Sequence, residues 1–213
     1  MVVWGIVVAA GSGQRFGGPK QFEIVAGKRV LDWSVDAAAS TCQGGVVVVV
    51  PPGHHEPAPA THTTVEGAAT RSGSVRAGLA RVPDDAEIIV VHDAARPLAT
   101  VALFRAVIAA IEAGADAAIP GIPLRDTIKQ VAGEQVVATV DRTGLVAVQT
   151  PQAFRAEALR AAHDAEPEAT DDAALVEAAG GKVVVVAGDA ANLKLTEPGD
   201  LVVAAALLAE RHG

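Results

Sequence analysis

A mostly parallel β-sheet layered between helices is the α/β fold class this sequence predicts. Continuous runs of β-branched residues recur, stretches with helical apolar spacing separate them, and turn residues punctuate the joins. Runs without polar alternation suit strands buried on both faces, as in a parallel sheet covered by helices. Alternating strand and helix then implies βαβ units with right-handed crossovers. No internal repeat and no Ser/Gly linker interrupts the chain, so residues 1–213 read as one domain.

The first strand is residues 2–10, "VVWGIVVAA". It is too short to span a bilayer, lacks the basic flank of a secretory signal, and enters a glycine loop where a cleavage site would stand. "VLDWSVDAAAST" (30–41) has helical spacing, and "GGVVVVVP" (44–51) is a second strand. "PPGHHEPAPATH" (51–62) reads as a surface loop, because His54, His55 and His62 come without the cysteine or carboxylate spacing of a metal site. "SVRAGLARV" (74–82) is helical and "AEIIVVHD" (86–93) a strand. "VALFRAVIAAIEAG" (101–114) is a helix with Thr100 as N-cap and Gly114 as its stop.

Residues 123–143 break the rhythm. They carry several charges, alternate loosely and turn around Ala132 and Gly133, the pattern of a β-hairpin with exposed faces. A hairpin this polar sits at an edge or packs on another subunit. "LVAVQT" (145–150) and "GKVVVVAG" (181–188) are further strands, and "EPGDLVVAAALLAERHG" (197–213) closes the chain as a helix.

Composition narrows the function. Half the residues are hydrophobic and there is no tyrosine, which suits a well-packed α/β protein. A formal net charge of −8 argues against nucleic-acid binding through a global basic field, so cations that meet a phosphate must be local. The single cysteine, Cys42, excludes a disulfide scaffold and fits a reducing, cytoplasmic setting.

Such local cations stand in "GSGQRFGGPKQ" (11–21), directly after the first strand. It is not a dinucleotide fingerprint, because Phe16 replaces the third glycine and no acid follows the second strand to hold a ribose. That removes an NAD-dependent oxidoreductase. It is not a P-loop either, since Pro19 intrudes and Lys20 is followed by Gln21 and not by a hydroxyl that holds magnesium. What remains is specific. Gly11 and Gly13 allow backbone N–H groups close to a polyphosphate, Arg15 offers a planar fork, and Lys20 a compact charge behind the stiffening Pro19. Two cations on such a loop suit a transition state that gathers charge at phosphorus.

"AAGSGQRFGGPKQF" (9–22) resembles the signature of nucleotidyltransferases, most of all the 2-C-methyl-D-erythritol 4-phosphate cytidylyltransferases of the non-mevalonate isoprenoid pathway. "RSGSVRAGL", "VHDAARP", "RDTIK", "TVDRTGL", "QTPQAF", "ATDDAAL" and "NLKLTEPGDL" follow in family order, so the likeness covers nearly the whole chain. It implies a Rossmann-like three-layer sandwich with a protruding β-hairpin dimerisation arm at 123–143. It also implies a reaction: the acceptor's phosphate oxygen attacks the α-phosphorus of CTP in line, giving the CDP-linked methylerythritol and pyrophosphate. An ionised phosphate needs no strong base, so the protein must position two polyanions and neutralise charge.

The resemblance further implies site residues. Arg15 and Lys20 act on the α-phosphate and the departing pyrophosphate, and Arg142 and Lys194 position the acceptor phosphate. The nucleotide falls to Ala9, Ala10, Gly11, Ser12, Gly13, Arg15, Lys20, Ala68, Arg71, Ser74 and Asp93. The acceptor falls to Asp93, Ala94, Arg96, Thr127, Arg142, Thr170 and Lys194. Mg²⁺ or another divalent cation accompanies CTP, with Asp93 a contact through water. Thr127 and Arg142, on the arm, serve the neighbour's site in a homodimer. Three positions depart from the family pattern: Ala68 where a glycine is usual, Gly73 where an acid is common, and Asp172 where glutamate is usual. A ribitol 5-phosphate cytidylyltransferase or a related sugar-phosphate nucleotidyltransferase is the nearest alternative. A non-catalytic nucleotide-binding regulator would not need Arg15, Lys20, Asp93, Arg142 and Lys194 together.

Overall fold

The structure, a computed structural model, describes residues 1–54 and 62–212; His55 lies outside the described residues. In chain order the strands are β1 (Val3–Val8), β2 (Ile24–Val25), β3 (Lys28–Arg29), β4 (Gly45–Val50), β5 (Thr63–Glu66), β6 (Ile88–Asp93), β7 (Ala117–Pro123), β8 (Ile128–Ala132), β9 (Gln135–Val140), β10 (Val146–Val148), β11 (Gln152–Arg155) and β12 (Val183–Ala187). The helices are α1 (Val30–Ala39), α2 (Arg71–Leu79), α3 (Val101–Glu112), α4 (Ala156–His163), α5 (Asp172–Ala178) and α6 (Asp200–His212).

Strands β5, β4, β1 and β6 lie side by side and parallel. Strand β11 runs antiparallel between β6 and β7, β10 continues its line along β7, and β12 closes the far edge parallel to β7. The fold is therefore the expected mostly parallel sheet, with two strands, β10 and β11, reversed. Strand β1 shows how the core is divided. Val7 points to one face with Leu31, Val35, Phe104 and Val107, and Ile6 to the other with Val75, Phe154 and Leu159. Each such side chain contributes about 1.5–3 kcal/mol by leaving water. Helices α1 and α3 cover the first face; α2, α4 and α5 cover the second. A smaller cluster around Val30, Leu98, Leu195 and Leu208 seats α6.

Thr100 caps α3 as expected, its Oγ1 accepting from Leu103 N–H at 3.2 Å. The valine runs of β10 and β12, however, are not buried on both faces: Val146, Val148 and Val185 are exposed. Strand β12 is an edge, so its hydrophobicity reports one covered face only. Strand β7 escapes a pattern reading because "AAIPGIP" carries Pro120 and Pro123. Pro120 is tolerated because its carbonyl accepts from Gln149 N–H at 2.8 Å, at the break between β10 and β11. Its missing donor faces that same break.

Strands β8 and β9 form a separate two-stranded sheet inside the expected 123–143 arm, turning at Gly133 with φ +59°. Val131, Val136 and Val137 stand 58%, 54% and 54% exposed on it, so the arm carries an apolar surface that its own body does not cover.

Candidate active site

The loop after β1 is held in place by an uncharged residue, Gln21, that carries no local signal in the sequence. Gln21 is buried, and its Nε2 donates to the carbonyls of Ala9 and Gly11 at 2.8 and 3.0 Å. The carbonyl of Gly13 accepts from the N–H groups of Phe16, Gly17 and Gly18, curling the loop on itself. Gly13 is required there, with φ +65° and a notional Cβ only 1.8 Å from the Gly18 carbonyl oxygen. Among the described residues the N–H groups of Gly11 to Arg15 find no acceptor in the chain, so they are available to an anion. Arg15 is exposed and Lys20 half-buried, and neither makes an ion pair among the described residues.

Strands β1 and β6 end level, with Val8 paired to Asp93, so both following loops open onto one space. This carboxyl end is where open α/β sheets place ligands. A cavity of about 750 Å³ lies there, walled by residues 8–16, Lys20, Gly67 to Arg71, Ser74, Asp93 and Lys194. A second cavity of about 410 Å³ adjoins it, lined by Arg96, Gln149, Thr150, Gln152, Thr170 and Asp171 among others. Arg71, Asp93 and Lys194 line both.

Asp93 is the centre of that shared wall. Its Oδ1 accepts from Arg71 Nε at 3.2 Å and its Oδ2 from Lys194 Nζ at 2.6 Å. Burial alone would raise its pKa, but the two cations outweigh burial and hold the carboxyl well below the usual range. Lys20 is also lowered, here by burial first and then by the nearby Lys194 and Arg15, so its charged form is disfavoured. A pocket that gathers cations against their mutual repulsion is built for an anion that relieves it.

Behind the wall, Thr150 Oγ1 accepts from Asp93 N–H at 3.0 Å and lies 3.1 Å from His92 Nδ1. The Arg96 carbonyl, 3.2 Å from Nε2, can only accept, so Nε2 carries the ring proton and donates to it, and Nδ1 of the neutral ring accepts from the Thr150 hydroxyl. Thr150 thus both lines the second cavity and fixes Asp93. "QTPQAF" contains it, yet its lack of charge gave no local signal.

His92 is fully buried, and burial lowers its pKa from 6.5 to about 4. Between these values the unfolded chain binds more protons than the folded one. Stability therefore falls as pH drops through that window, by about 3 kcal/mol in all. Urea unfolding at pH 7 and pH 4.5 should show most of this loss, and His92→Asn should remove it. A wild-type protein of equal stability at both values would contradict the assignment.

Of the residues expected at the nucleotide, Ala9, Ala10, Gly11, Ser12, Gly13, Arg15, Lys20, Ala68, Arg71, Ser74 and Asp93 all line the larger cavity. Of those expected at the acceptor, Arg96 and Thr170 line the smaller one, Ala94 the larger, and Asp93 and Lys194 both. Thr127 and Arg142 line neither; Arg142 Nη1 donates to the carbonyls of Arg125 and Asp126 at the base of the arm. Ser74 is buried, and its hydroxyl accepts from Ala68 N–H and donates to the Thr70 carbonyl, so it shapes the 67–70 loop. The two departures there fit each other. A Cβ on Gly73 would lie 2.8 Å from the Ala68 methyl, so the glycine makes room for the alanine.

The family model for 2-C-methyl-D-erythritol 4-phosphate cytidylyltransferase matches residues 3–210. The chain belongs to that family. It is 43% identical to the cytidylyltransferase of Streptomyces coelicolor, over 97% of this chain and 85% of that one. It is 45% identical to that of Rhodococcus opacus, over 96% and 94%. Against the bifunctional IspD/IspF enzyme of Clavibacter michiganensis it is 44% identical over 98% of its length and spans 55% of that longer protein. The crystal structure of the cytidylyltransferase from Thermus thermophilus superimposes with a TM-score of 0.83 at 36% identity, covering 96% of this chain and 98% of that chain. For a 2-C-methyl-D-erythritol 4-phosphate cytidylyltransferase fold, the match takes in both cavities and the arm. No helix among the described residues is long and apolar enough to cross a membrane.

Proposed function

We propose that the chain transfers a cytidylyl group from CTP to 2-C-methyl-D-erythritol 4-phosphate, releasing pyrophosphate. The observation that carries this reading is the pair of adjoining cavities that share the Arg71–Asp93–Lys194 wall. CTP occupies the larger cavity, with its phosphates on the free N–H groups of residues 11–15 and beside Arg15 and Lys20. The acceptor occupies the smaller one, with Arg96 and Thr170 on its polar groups. Its phosphate meets the α-phosphorus at Lys194, and Arg15 and Lys20 take up the charge that grows on the departing pyrophosphate. The acceptor phosphate is already ionised, so no side chain removes a proton.

A divalent cation fits this site as a companion of the triphosphate. Asp93, the carboxylate on both cavities, already accepts from two cations, and no three His, Cys, Asp or Glu among the described residues cluster as a cage. Magnesium would neutralise phosphate charge, held by the nucleotide with Asp93 touching only its water. A cytoplasmic setting suits the buried single thiol of Cys42.

Pyrophosphate release tests the reading. CTP with 2-C-methyl-D-erythritol 4-phosphate should turn over, and ribitol 5-phosphate or UTP should be much poorer, since a site that bonds one base edge leaves groups unpaired with another. Equal kcat/KM for UTP, or preference for ribitol 5-phosphate, would sink it.

We further infer a homodimer whose arm completes the neighbour's site. In its support, Thr127 and Arg142 line neither cavity of their own chain, and the arm carries exposed valines. Mixing an Arg142→Ala chain with a Lys20→Ala chain should regenerate activity, because a heterodimer has one intact site. Random exchange gives about half heterodimers and so about a quarter of wild-type activity. A mixture no more active than its parents after verified exchange would mean that the arm serves its own subunit.

A further inference from the structure

Asp172, the first residue of α5, is fully buried, and its two oxygens face opposite ways. Oδ2 accepts from Arg71 Nη1 at 2.8 Å, while Oδ1 lies 3.0 Å from Nε2 of His163, the buried last residue of α4. Arg71 goes on to Asp93, and Asp93 to Lys194. Lys194, Asp93, Arg71, Asp172 and His163 thus form one alternating row, from the wall shared by the cavities into the interior.

We propose that His163 is a positioning residue for cytidylyl transfer: it holds Asp172 from behind and so sets the orientation in which Arg71 presents Asp93 to both cavities. A carboxylate only accepts, so the His163 ring donates from Nε2. Its Nδ1 meets no polar partner among the described residues, so the ring's one polar engagement is with Asp172. Without that donor, Asp172 would keep a single partner and turn about its last torsion, and Arg71 would turn with it. Arg71 cannot absorb the change, because its Nε and Nη1 are committed to two different carboxylates at once. The pair also accounts for the short side chain at 172, since the imidazole fills the reach behind it. Sequence distance hides the arrangement: His163 and Asp172 are 9 residues apart, but Arg71 and Asp172 are 101.

The proposal rests on reading the Arg71–Asp93 wall as the substrate wall, and the test separates the two. In the full-length chain, His163→Leu should raise KM for both CTP and the acceptor about tenfold, the scale of one buried charge-assisted hydrogen bond. KM does not depend on how much of the sample is folded, so a merely structural role would lower the melting temperature and leave KM unchanged. His163→Gln, whose amide nitrogen reaches a similar point, should restore KM to within about threefold of wild type. In the Asp172→Asn background, His163→Leu should raise KM no further, as expected of a residue that acts only through its contact with Asp172. Unchanged KM values in His163→Leu, or additive effects in the double variant, overturn the proposal. If His163→Leu does not fold, His163→Asn, whose amide stops short of Asp172, takes its place beside His163→Gln: a KM raised for both substrates in His163→Asn alone supports the proposal, and equal KM values in the two overturn it. A wild-type chain that neither turns over nor binds CTP overturns the substrate wall itself and this proposal with it.

Discussion

Lys20→Ala should lower kcat by a factor on the order of 10²–10³ while leaving KM for CTP little changed, as when one transition-state donor is lost. Ground-state phosphate has other partners in the larger cavity, namely the free N–H groups of residues 11–15 and Arg15. Lys20 differs from them in its placement. It is half-buried, close enough to Lys194 and Arg15 for their charges to lower its pKa, and it makes no ion pair among the described residues. A cation held under repulsion gains most when negative charge is greatest, at the moment the α-phosphorus is shared between two phosphates. Arg15→Ala should behave likewise, with a smaller effect because Arg15 is exposed and its charge better screened. Steady-state kinetics with both substrates varied, beside melting temperatures equal to wild type, is the measurement. Ordinary turnover in Lys20→Ala would remove that residue from the chemistry.

Asp93→Asn should damage both stability and function, in a different pattern. Asp93 is 12% exposed by side chain and neutralises Arg71 and Lys194 together. Removing one partner of such a group leaves cations poorly compensated, a loss of about 3 kcal/mol, toward the low end because Lys194 is 43% exposed and partly solvated. The carboxyl is depressed below its ordinary value, so its contribution is complete above the unfolded pKa and withdrawn only as pH falls below it. The deficit of the variant relative to wild type should therefore be constant from pH 5 to pH 8. Function should fall through KM for both substrates as well as kcat, because Asp93 lines both cavities. Urea unfolding and two-substrate kinetics would check it. A variant with normal stability and only one KM raised would show that the shared wall is not the joint support of both sites.

The two variants also locate what could be read without a structure. Lys20 and Arg15 announce themselves because a glycine loop after an apolar run constrains its own residues. Strands β1, β4 and β6, the capped helix α3 and the arm were legible for the same reason, since burial period and turn residues are local properties. The motif string also identified the family, because each motif keeps its own short spacing. Strand β7 was not legible, since Pro120 argues against a strand until the break beside it is known. Nor were Thr150, Gln21 and His163, whose roles are contacts and not charges.

Tertiary structure alone decided the wall. Asp93 and Lys194 stand 101 residues apart, as do Arg71 and Asp172, and they meet only in the folded chain, where Leu195 N–H donates to the Ala95 carbonyl just past the end of β6. It likewise decided that Gly73 makes room for Ala68, and that His163 stands behind the short Asp172. A sequence records how each segment buries its own apolar face. Which polar groups then confront one another depends on strand order and direction, and these follow from packing the segments together, so the pairings carry no local mark.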